Sequence, residues 1–215
     1  MIKNLIFLGA PGVGKGTISS LLAQKTNRAH LSTGEVFRAA IRSETKLGLE
    51  LKSLVENGLY VPDDITNQIV EQRINFFDEA CQNFILDGYP RTINQANFLK
   101  SLPTSNISKV ILLEAPKEII VQRLSKRRYC PTCSSTYHLD FKPSKKGDLC
   151  ENDDTALLQR KDDQEEAIIK RLEVYEKETS VLIDYYKQQD LLVSFDAVAS
   201  PEEITNAIIE QLKLK

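Results

Sequence analysis

Gly9-Ala10-Pro11-Gly12-Val13-Gly14-Lys15 constrains this chain more than any other segment: it fits G-x-x-x-x-G-K, follows an apolar run and precedes a helical pattern starting near Lys15. Glycines there permit backbone conformations in which successive N–H groups converge on phosphate oxygens. The N-terminus of the following helix adds positive potential, and Lys15 adds a full charge. A plain turn between strand and helix needs neither the lysine nor both flanking elements. The rest of the chain suits such a cradle, because short apolar runs rich in branched residues alternate with longer amphipathic stretches. That alternation is the pattern of a parallel sheet with crossover helices.

Five runs read as strands: Leu5–Leu8, Ala29–Leu31, Asn83–Leu86, Lys109–Glu114 and Leu191–Phe195. They are mostly apolar at consecutive positions, as expected for strands covered on both faces. Two segments break the alternation. Residues from about 32 to 61 form a mostly helical insertion; residues from about 127 to 160 are rich in Gly, Pro, Cys and charge, with Tyr137 to Phe141 the only strand-like piece. The expected division is a core of residues 1–31, 62–126 and 164–215, carrying insertions over 32–61 and 127–163.

The balance of 28 basic and 30 acidic side chains leaves a formal charge of −2 over 215 residues. There is thus no overall basic field for bulk attraction to nucleic acid. A chain of this length buries a core without disulfide staples. No apolar run approaches the ~18–20 residues that span a bilayer. The apolar start, Leu5 to Leu8, is short for a leader and reads as a buried strand of a cytoplasmic protein.

Ser200-Pro201-Glu202-Glu203 supplies a cap hydroxyl, a proline and a carboxylate for a C-terminal helix whose apolar face is Ile204, Ala207, Ile208 and Leu212. Ser32-x-x-Glu35 and Thr92-x-x-Gln95 also fit capping boxes, so Gln95 suits either a helix start or an adenine edge. From about Gln164 to Gln188, Ile168, Leu172, Tyr175, Leu182 and Tyr186 form one stripe of a long helix packed on the core. His30 and His138 read as structural, Cys81 as a small apolar residue near a helix end, and Arg128 as a solvated surface charge.

Gly16 stands where a cradle of this type usually has Ser or Thr, so the hydroxyl ligand for Mg²⁺ is missing and only Thr17 follows. Asp87, ending the third apolar run, is placed to hold Mg²⁺ hydration water, although an Asp there also suits a turn. A second metal signal lies in Cys130-Pro131-Thr132-Cys133 and, sixteen residues on, Cys150-Glu151-Asn152-Asp153. This is the spacing of a paired C-x-x-C zinc site with Asp in the last place, and Asp154, Asp148 and His138 are alternatives for the fourth ligand. Such a zinc would be structural, because no ligand position is left open and the segment is too polar to fold on a core of its own. A zinc ribbon gripping nucleic acid is the rival reading. Lys142, Lys145 and Lys146 suit it; the few aromatics and the opposing Asp148, Glu151, Asp153 and Asp154 do not.

Gly9 to Thr17, Ser32-Thr33-Gly34-Glu35 with Arg38, Leu86-Asp87-Gly88-Tyr89-Pro90-Arg91-Thr92 and Arg160-Lys161-Asp162-Asp163 together resemble adenylate kinase, specifically its bacterial long-lid type. The resemblance implies an α/β P-loop nucleoside monophosphate kinase with a five-stranded parallel sheet core flanked by helices. It also implies an AMP-binding insertion at about Ser32–Val61 and a lid at about Arg127–Asp163. The implied reaction is MgATP + AMP ⇌ 2 ADP by in-line displacement. Implied ATP contacts are Gly12, Val13, Gly14, Lys15, Gly16, Thr17, Arg127, Thr136, Tyr137 and Ala199. Implied AMP contacts are Thr33, Arg38, the Leu59-Tyr60-Val61 backbone, Gly88, Tyr89, Pro90, Arg91, Gln95, Arg160 and Arg171. The catalytic set is Lys15, Asp87, Arg91, Arg123, Arg160 and Arg171. Long-lid members with three Cys and one Asp at this spacing are zinc-bound forms, which points to Cys130, Cys133, Cys150 and Asp153. The family suggests a monomer whose partners are ATP, AMP and ADP, with neither nucleic acid nor membrane.

Many arginines are what phosphoryl transfer needs. The transferring group spreads charge over three equatorial oxygens, and catalysis is mostly positioning and electrostatic stabilisation. The rival acceptors are CMP, UMP or another nucleoside monophosphate, and a regulatory or nucleic-acid-binding nucleotide switch is the rival of another class.

Overall fold

The computed structural model describes residues 2–214. In chain order its elements are β1 (Asn4–Leu8), α1 (Lys15–Lys25), β2 (Ala29–Ser32), α2 (Thr33–Arg42), α3 (Lys46–Glu56), α4 (Asp63–Glu79), β3 (Phe84–Asp87), α5 (Ile93–Ser101), β4 (Ile107–Glu114) and α6 (Lys117–Ser125). There follow β5 (Arg127–Tyr129), β6 (Thr136–His138), a 3-10 turn (Lys161–Asp163), α7 (Glu165–Val174), α8 (Val181–Lys187), β7 (Leu192–Asp196) and α9 (Pro201–Leu212).

Burial of β1 on both faces sets the architecture, because side chains alternate across a strand. Leu5 and Phe7 pack with Ile18, Leu22, Ile204 and Ile208, so α1 and α9 cover that face. Ile6 and Leu8 pack with Val70, Ile74, Leu99 and Leu182, so α4, α5 and α8 cover the other. The resulting five-stranded sheet runs in the order β2-β3-β1-β4-β7, and all its pairings are parallel. The chain crosses from β3 over β1 to β4, which makes the carboxyl end of β1 the switch point where open α/β sheets bind ligands. Registers Phe7↔Asp87 and Leu8↔Leu112 bring the ends of β3 and β4 to that same edge.

All five expected strands form, each within two residues of its expected bounds. The first insertion is α2 and α3, closed by its own small cluster of Phe37, Leu51 and Val61.

Several local expectations are corrected. The helix expected over 164–188 is interrupted: Tyr175–Thr179 form a π turn, in which Ser180 N–H donates to Tyr175 O at 2.9 Å. The strand expected at Tyr137–Phe141 is instead Thr136–His138, antiparallel to β5, because the chain turns there through paired hydrogen bonds of His138 with Lys142. β5 itself was not expected; its sequence, Arg-Arg-Tyr, has neither an apolar run nor a buried face. Ser32 caps α2 without a side-chain hydrogen bond, so no capping box forms there. Half of the second box forms, since Thr92 Oγ1 accepts from Gln95 N–H while the Gln95 amide turns elsewhere. The Ser200–Glu203 box is complete. Cys81 is exposed, with φ of 51°, rather than packed.

Candidate active site

The loop after β1 is shaped by glycines at positive φ. At Gly9 (φ 136°) a Cβ would lie 2.4 Å from Leu113 O, so any side chain would push β1 away from β4. Gly14 (φ 112°) precedes α1 and offers no side-chain cap, leaving the leading N–H groups of the helix open to an anion. Lys15 Nζ donates to Gly9 O at 2.6 Å and Ala10 O at 2.9 Å, lying across the loop it belongs to. Burial lowers its pKa to about 8, with Asp87 opposing and Arg91, Arg171 and Arg127 adding to the shift. A cation destabilised in this way gains when an anion arrives. Arg123 bridges the rim, donating from Nη1 to Val13 O at 3.0 Å and from Nη2 to Val198 O at 3.3 Å. It thereby joins the loop to the exposed strand-end segment that carries Ala199.

A second wall comes from the ends of β2 and β3. Gly88 O accepts from Thr33 Oγ1 at 2.9 Å and from Arg91 Nε at 2.7 Å. The Arg91 guanidinium lies over the Tyr60 ring, 5.0 Å from its centroid. Arg91 N–H donates to Gln95 Oε1 at 2.7 Å, and Gln95 Nε2 donates to Asp63 Oδ1 at 2.7 Å. Asp63 also accepts from Thr92 Oγ1 at 2.9 Å, so it fixes which way the buried Gln95 amide faces. Arg38 stacks against Gly34, 3.1 Å from where a Cβ would stand, and burial lowers its pKa to about 10. Tyr89 is fully buried in the core and donates to Asn67 Oδ1, so this residue can offer a nucleotide only its backbone. Leu59 is exposed, whereas Val61 belongs to the small core of the insertion.

The third wall is the pair of ends of the second insertion. Asp163, whose side chain is 0% exposed, accepts from Arg127 Nε and Nη2 at 2.7 and 2.6 Å, and from Arg171 Nη1 at 3.0 Å. Asp162 Oδ2 meets Arg171 Nη1 at 3.0 Å. Arg171, Arg127, Arg38 and Arg160 hold the Asp162 carboxyl below the usual range despite its burial. Arg160 reaches Thr136 Oγ1 from Nη2 at 3.4 Å and lies over the Tyr129 ring. Its Nε is buried and has no partner. Burial, then Arg127 and Arg38, lowers its pKa well below the usual arginine value. Tyr137 turns away from this wall, its hydroxyl accepting from Glu151 N–H and contacting Cys150 Sγ.

The three walls share one electrostatic field. Lys15 feels Arg91, Arg127 and Arg171, Arg38 feels Arg127 and Arg171, and Arg160 feels Arg127 and Arg38. Among the described residues these cations gather around three buried carboxylates, Asp87, Asp162 and Asp163. Such an excess of positive charge, with a guanidinium nitrogen left unpartnered, suits a polyanion of several phosphates.

Sequence reading missed the buried acids that hold these cations. Asp162 and Asp163 lie in the Arg160-Lys161-Asp162-Asp163 motif, which gave them no role, and half-buried Asp63, a first-turn acid of α4 that orients Gln95 rather than a cation, lies in no motif. Their signal is indirect: an acid pair next to a candidate phosphate arginine is its expected orienter. Thr179, whose hydroxyl contacts Tyr60 and Arg91, carried no signal. His30 is structural in position, its Nε2 2.9 Å from Ser19 Oγ. Arg128 donates to Ser125 O and Arg127 O within the insertion.

Two places fit metals. Ligand atoms of Cys130, Cys133, Cys150 and Asp153 all lie within 4.8 Å of one another, as four donors of a tetrahedral zinc must. Cys133 Sγ and Cys150 Sγ are 3.5 Å apart, far beyond a disulfide. Of the alternative ligands, Asp154 is paired with Lys146 at 2.6 Å. His138 Nδ1 accepts from Asp140 and Phe141 N–H groups. At the loop, a Cβ on Gly16 would stand 3.3 Å from Asp87 Oδ2. The glycine thus leaves space beside a buried carboxylate, whose hard oxygen suits hydrated Mg²⁺.

A family model described as adenylate kinase matches residues 7–191. The chain is 50% identical to the adenylate kinase of Mycoplasmopsis pulmonis over 214 residues, covering 100% of both chains. It is 47% identical to that of Mycoplasma mobile over 99% of both, and 44% identical to that of Acholeplasma laidlawii over 100% of both.

Proposed function

The chain belongs to the adenylate kinase family and catalyses reversible phosphoryl transfer between ATP and AMP, and from that premise we propose how its residues divide the work. The observation that carries the reading is the convergence of Lys15, Arg38, Arg91, Arg127, Arg160 and Arg171 from separate segments into one electrostatic neighbourhood with too few carboxylates to neutralise them.

ATP lies with its phosphates on the loop Gly12 to Thr17, where N–H groups and Lys15 cradle them. Arg127, Thr136, Tyr137 and Ala199 contact ATP, with only the backbone of Tyr137 free to do so, and Arg123, held at the loop by Val13 O, meets its phosphates. AMP lies against Thr33, Arg38, Leu59 to Val61 and Gly88 to Arg91. The Gln95 amide, oriented by Asp63, selects its base. Arg91, Arg123, Arg160 and Arg171 close around the transferring group, and Asp162 and Asp163 fix Arg171 and the ATP-binding Arg127 before substrate arrives. Preorganised cations of this kind stabilise charge in the transition state without reorganising. Asp87 would hold the water shell of the Mg²⁺ that comes with ATP, an ion that would supply neutralisation of developing phosphate charge. Water is the competing acceptor, so the insertions 32–61 and 127–163 act as AMP-binding unit and lid, shutting it out. The contact of Lys161 with Glu56 at 3.1 Å, joining the lid base to α3, supports that closure.

The four-donor cluster in the lid is a structural zinc site of the long-lid type, with Asp153 as the fourth ligand. The protein works as a cytoplasmic monomer. Among the described residues no helix is long and apolar enough to cross a membrane.

Nucleotide chromatography of the protein with MgATP, alone and with AMP, CMP, UMP or GMP, tests the acceptor. ADP formed only with AMP, two per ATP consumed, is expected. Rapid turnover with CMP or UMP would move the substrate, and ADP with free phosphate in the absence of any acceptor would overturn the reading of the 32–61 insertion.

A further inference from the structure

Two buried helical threonines of this protein bond within their own helices. The hydroxyls of Thr66 and Thr205 donate to the carbonyls four residues back, Pro62 O and Pro201 O, the ordinary habit of threonine in a helix. Thr179 does not. It is 5% exposed, sits at the end of the π turn Tyr175–Thr179, and directs its hydroxyl out of the helix to Arg91 O at 2.8 Å. Tyr60 Oη lies 2.7 Å from the Thr179 hydroxyl oxygen, Oγ1. The single Thr179 proton is committed to the Arg91 carbonyl, which can only accept, so the Tyr60 hydroxyl must be the donor to Thr179.

The result is a closed ring of contacts. Tyr60 donates to Thr179, Thr179 donates to the Arg91 carbonyl, and the Arg91 guanidinium returns over the face of the Tyr60 ring at 5.0 Å. With Gln95 Oε1 on the Arg91 N–H and Gly88 O on its Nε, only the two Nη groups of Arg91 stay available to a ligand. Widened helical turns are otherwise rare and concentrate at functional sites. Here the turn brings a polar side chain of the C-terminal half against both the β3 edge and the segment leaving the first insertion.

We propose that Thr179 is a positioning residue for phosphoryl transfer: through its paired hydrogen bonds it sets the Tyr60 ring and the Arg91 main chain so that the Arg91 guanidinium faces the phosphate of the acceptor monophosphate. This rests on the reading of Arg91 as a phosphate ligand. Its consequence is asymmetric, because the relay touches the acceptor side of the cavity and none of the loop residues Gly12 to Thr17.

Steady-state kinetics of Thr179→Val, with both substrates varied, test it. The variant keeps the shape and loses the hydroxyl, and the expected result is a rise in KM for AMP of roughly tenfold with KM for ATP changed less than about twofold. Thr179→Ser restores the parent values. Tyr60→Phe, which removes only the donor, gives a smaller rise of the same kind and adds nothing on top of Thr179→Val; it also serves if the valine variant folds poorly. Equal changes in both KM values, or a lowered melting temperature with neither KM altered, would overturn the positioning role. Arg91→Lys separates the two layers. If it damages AMP kinetics while Thr179→Val and Tyr60→Phe do not, the positioning role fails alone; if it leaves AMP kinetics intact, the reading of Arg91 fails and takes the proposal with it.

Discussion

Lys15 shows how burial and function meet in one side chain. Its pKa of about 8 in the free protein lies below the ordinary 10.5, so the unfolded chain binds its proton more tightly. The unfavourable contribution of charged Lys15 to folding is therefore fully present below pH 8 and is relieved as pH rises toward 10.5. Phosphates reverse the preference, since an anion beside the ammonium favours its charged form. Calorimetry of ATP binding near pH 8, in buffers of different ionisation heat, should detect proton uptake, and Lys15→Met should abolish it. Asp163 has the opposite task. It alone accepts from both Arg127 and Arg171 with a fully buried carboxylate, and breaking such a pair from one side costs about 3–5 kcal/mol. Urea denaturation of ligand-free Asp163→Ala should show a loss of that size, partly recovered with ATP as its phosphates take up the freed guanidinium groups. A loss below about 1 kcal/mol would mean that the acid is not holding the cluster.

At the scale of elements, the strands and the phosphate loop were legible because their causes are local. Consecutive apolar residues make a strand buried on both faces, and glycines with a lysine before a helix make an anion cradle. The Cys spacing was legible for the same reason, two tight turns each presenting paired donors. What escaped reading has non-local causes. β5 exists because β6 and Leu158 pair with it, not because Arg127-Arg128-Tyr129 favours extension. The π turn within the long C-terminal helix reflects contacts with Tyr60 and Arg91, far away in sequence. Gln95 was assigned on a capping pattern and on family likeness, yet its amide is set by Asp63 from α4. The lid knuckle supplies the prediction at this scale. Among the described residues its protein core is Cys130, Tyr137 and Cys150 with Leu157 against them, so on the proposed zinc reading the metal supplies much of the segment's stability. Cys130→Ser should lower zinc content by elemental analysis and lower the melting temperature, with low-temperature turnover affected less; unchanged zinc content would contradict the knuckle.

For the whole molecule, the sheet order delivers three distant segments to one edge, and the two insertions then meet across it. Lys161 and Glu56 are 65% and 29% exposed at the side chain, so their contact contributes little on its own, within about 1 kcal/mol. In the proposed mechanism, closure would draw instead on phosphates that complete the cation cluster. Closure and reopening, rather than the chemical step, should then limit turnover. A thio-substituted ATP that slows chemistry alone should leave kcat nearly unchanged, whereas added viscogen should lower it; a large thio effect would place the limit in chemistry. Lys15 and the arginines of separate segments are proposed to form one transfer site. Rapid-quench single turnovers of MgATP with AMP, comparing the parent with Lys15→Met and Arg160→Met, test it most directly. Each variant is predicted to keep the parent's circular dichroism and to transfer the phosphoryl group about 100-fold more slowly or worse, the scale of losing a preorganised transition-state donor. Parental transfer rates in either correctly folded variant would contradict it.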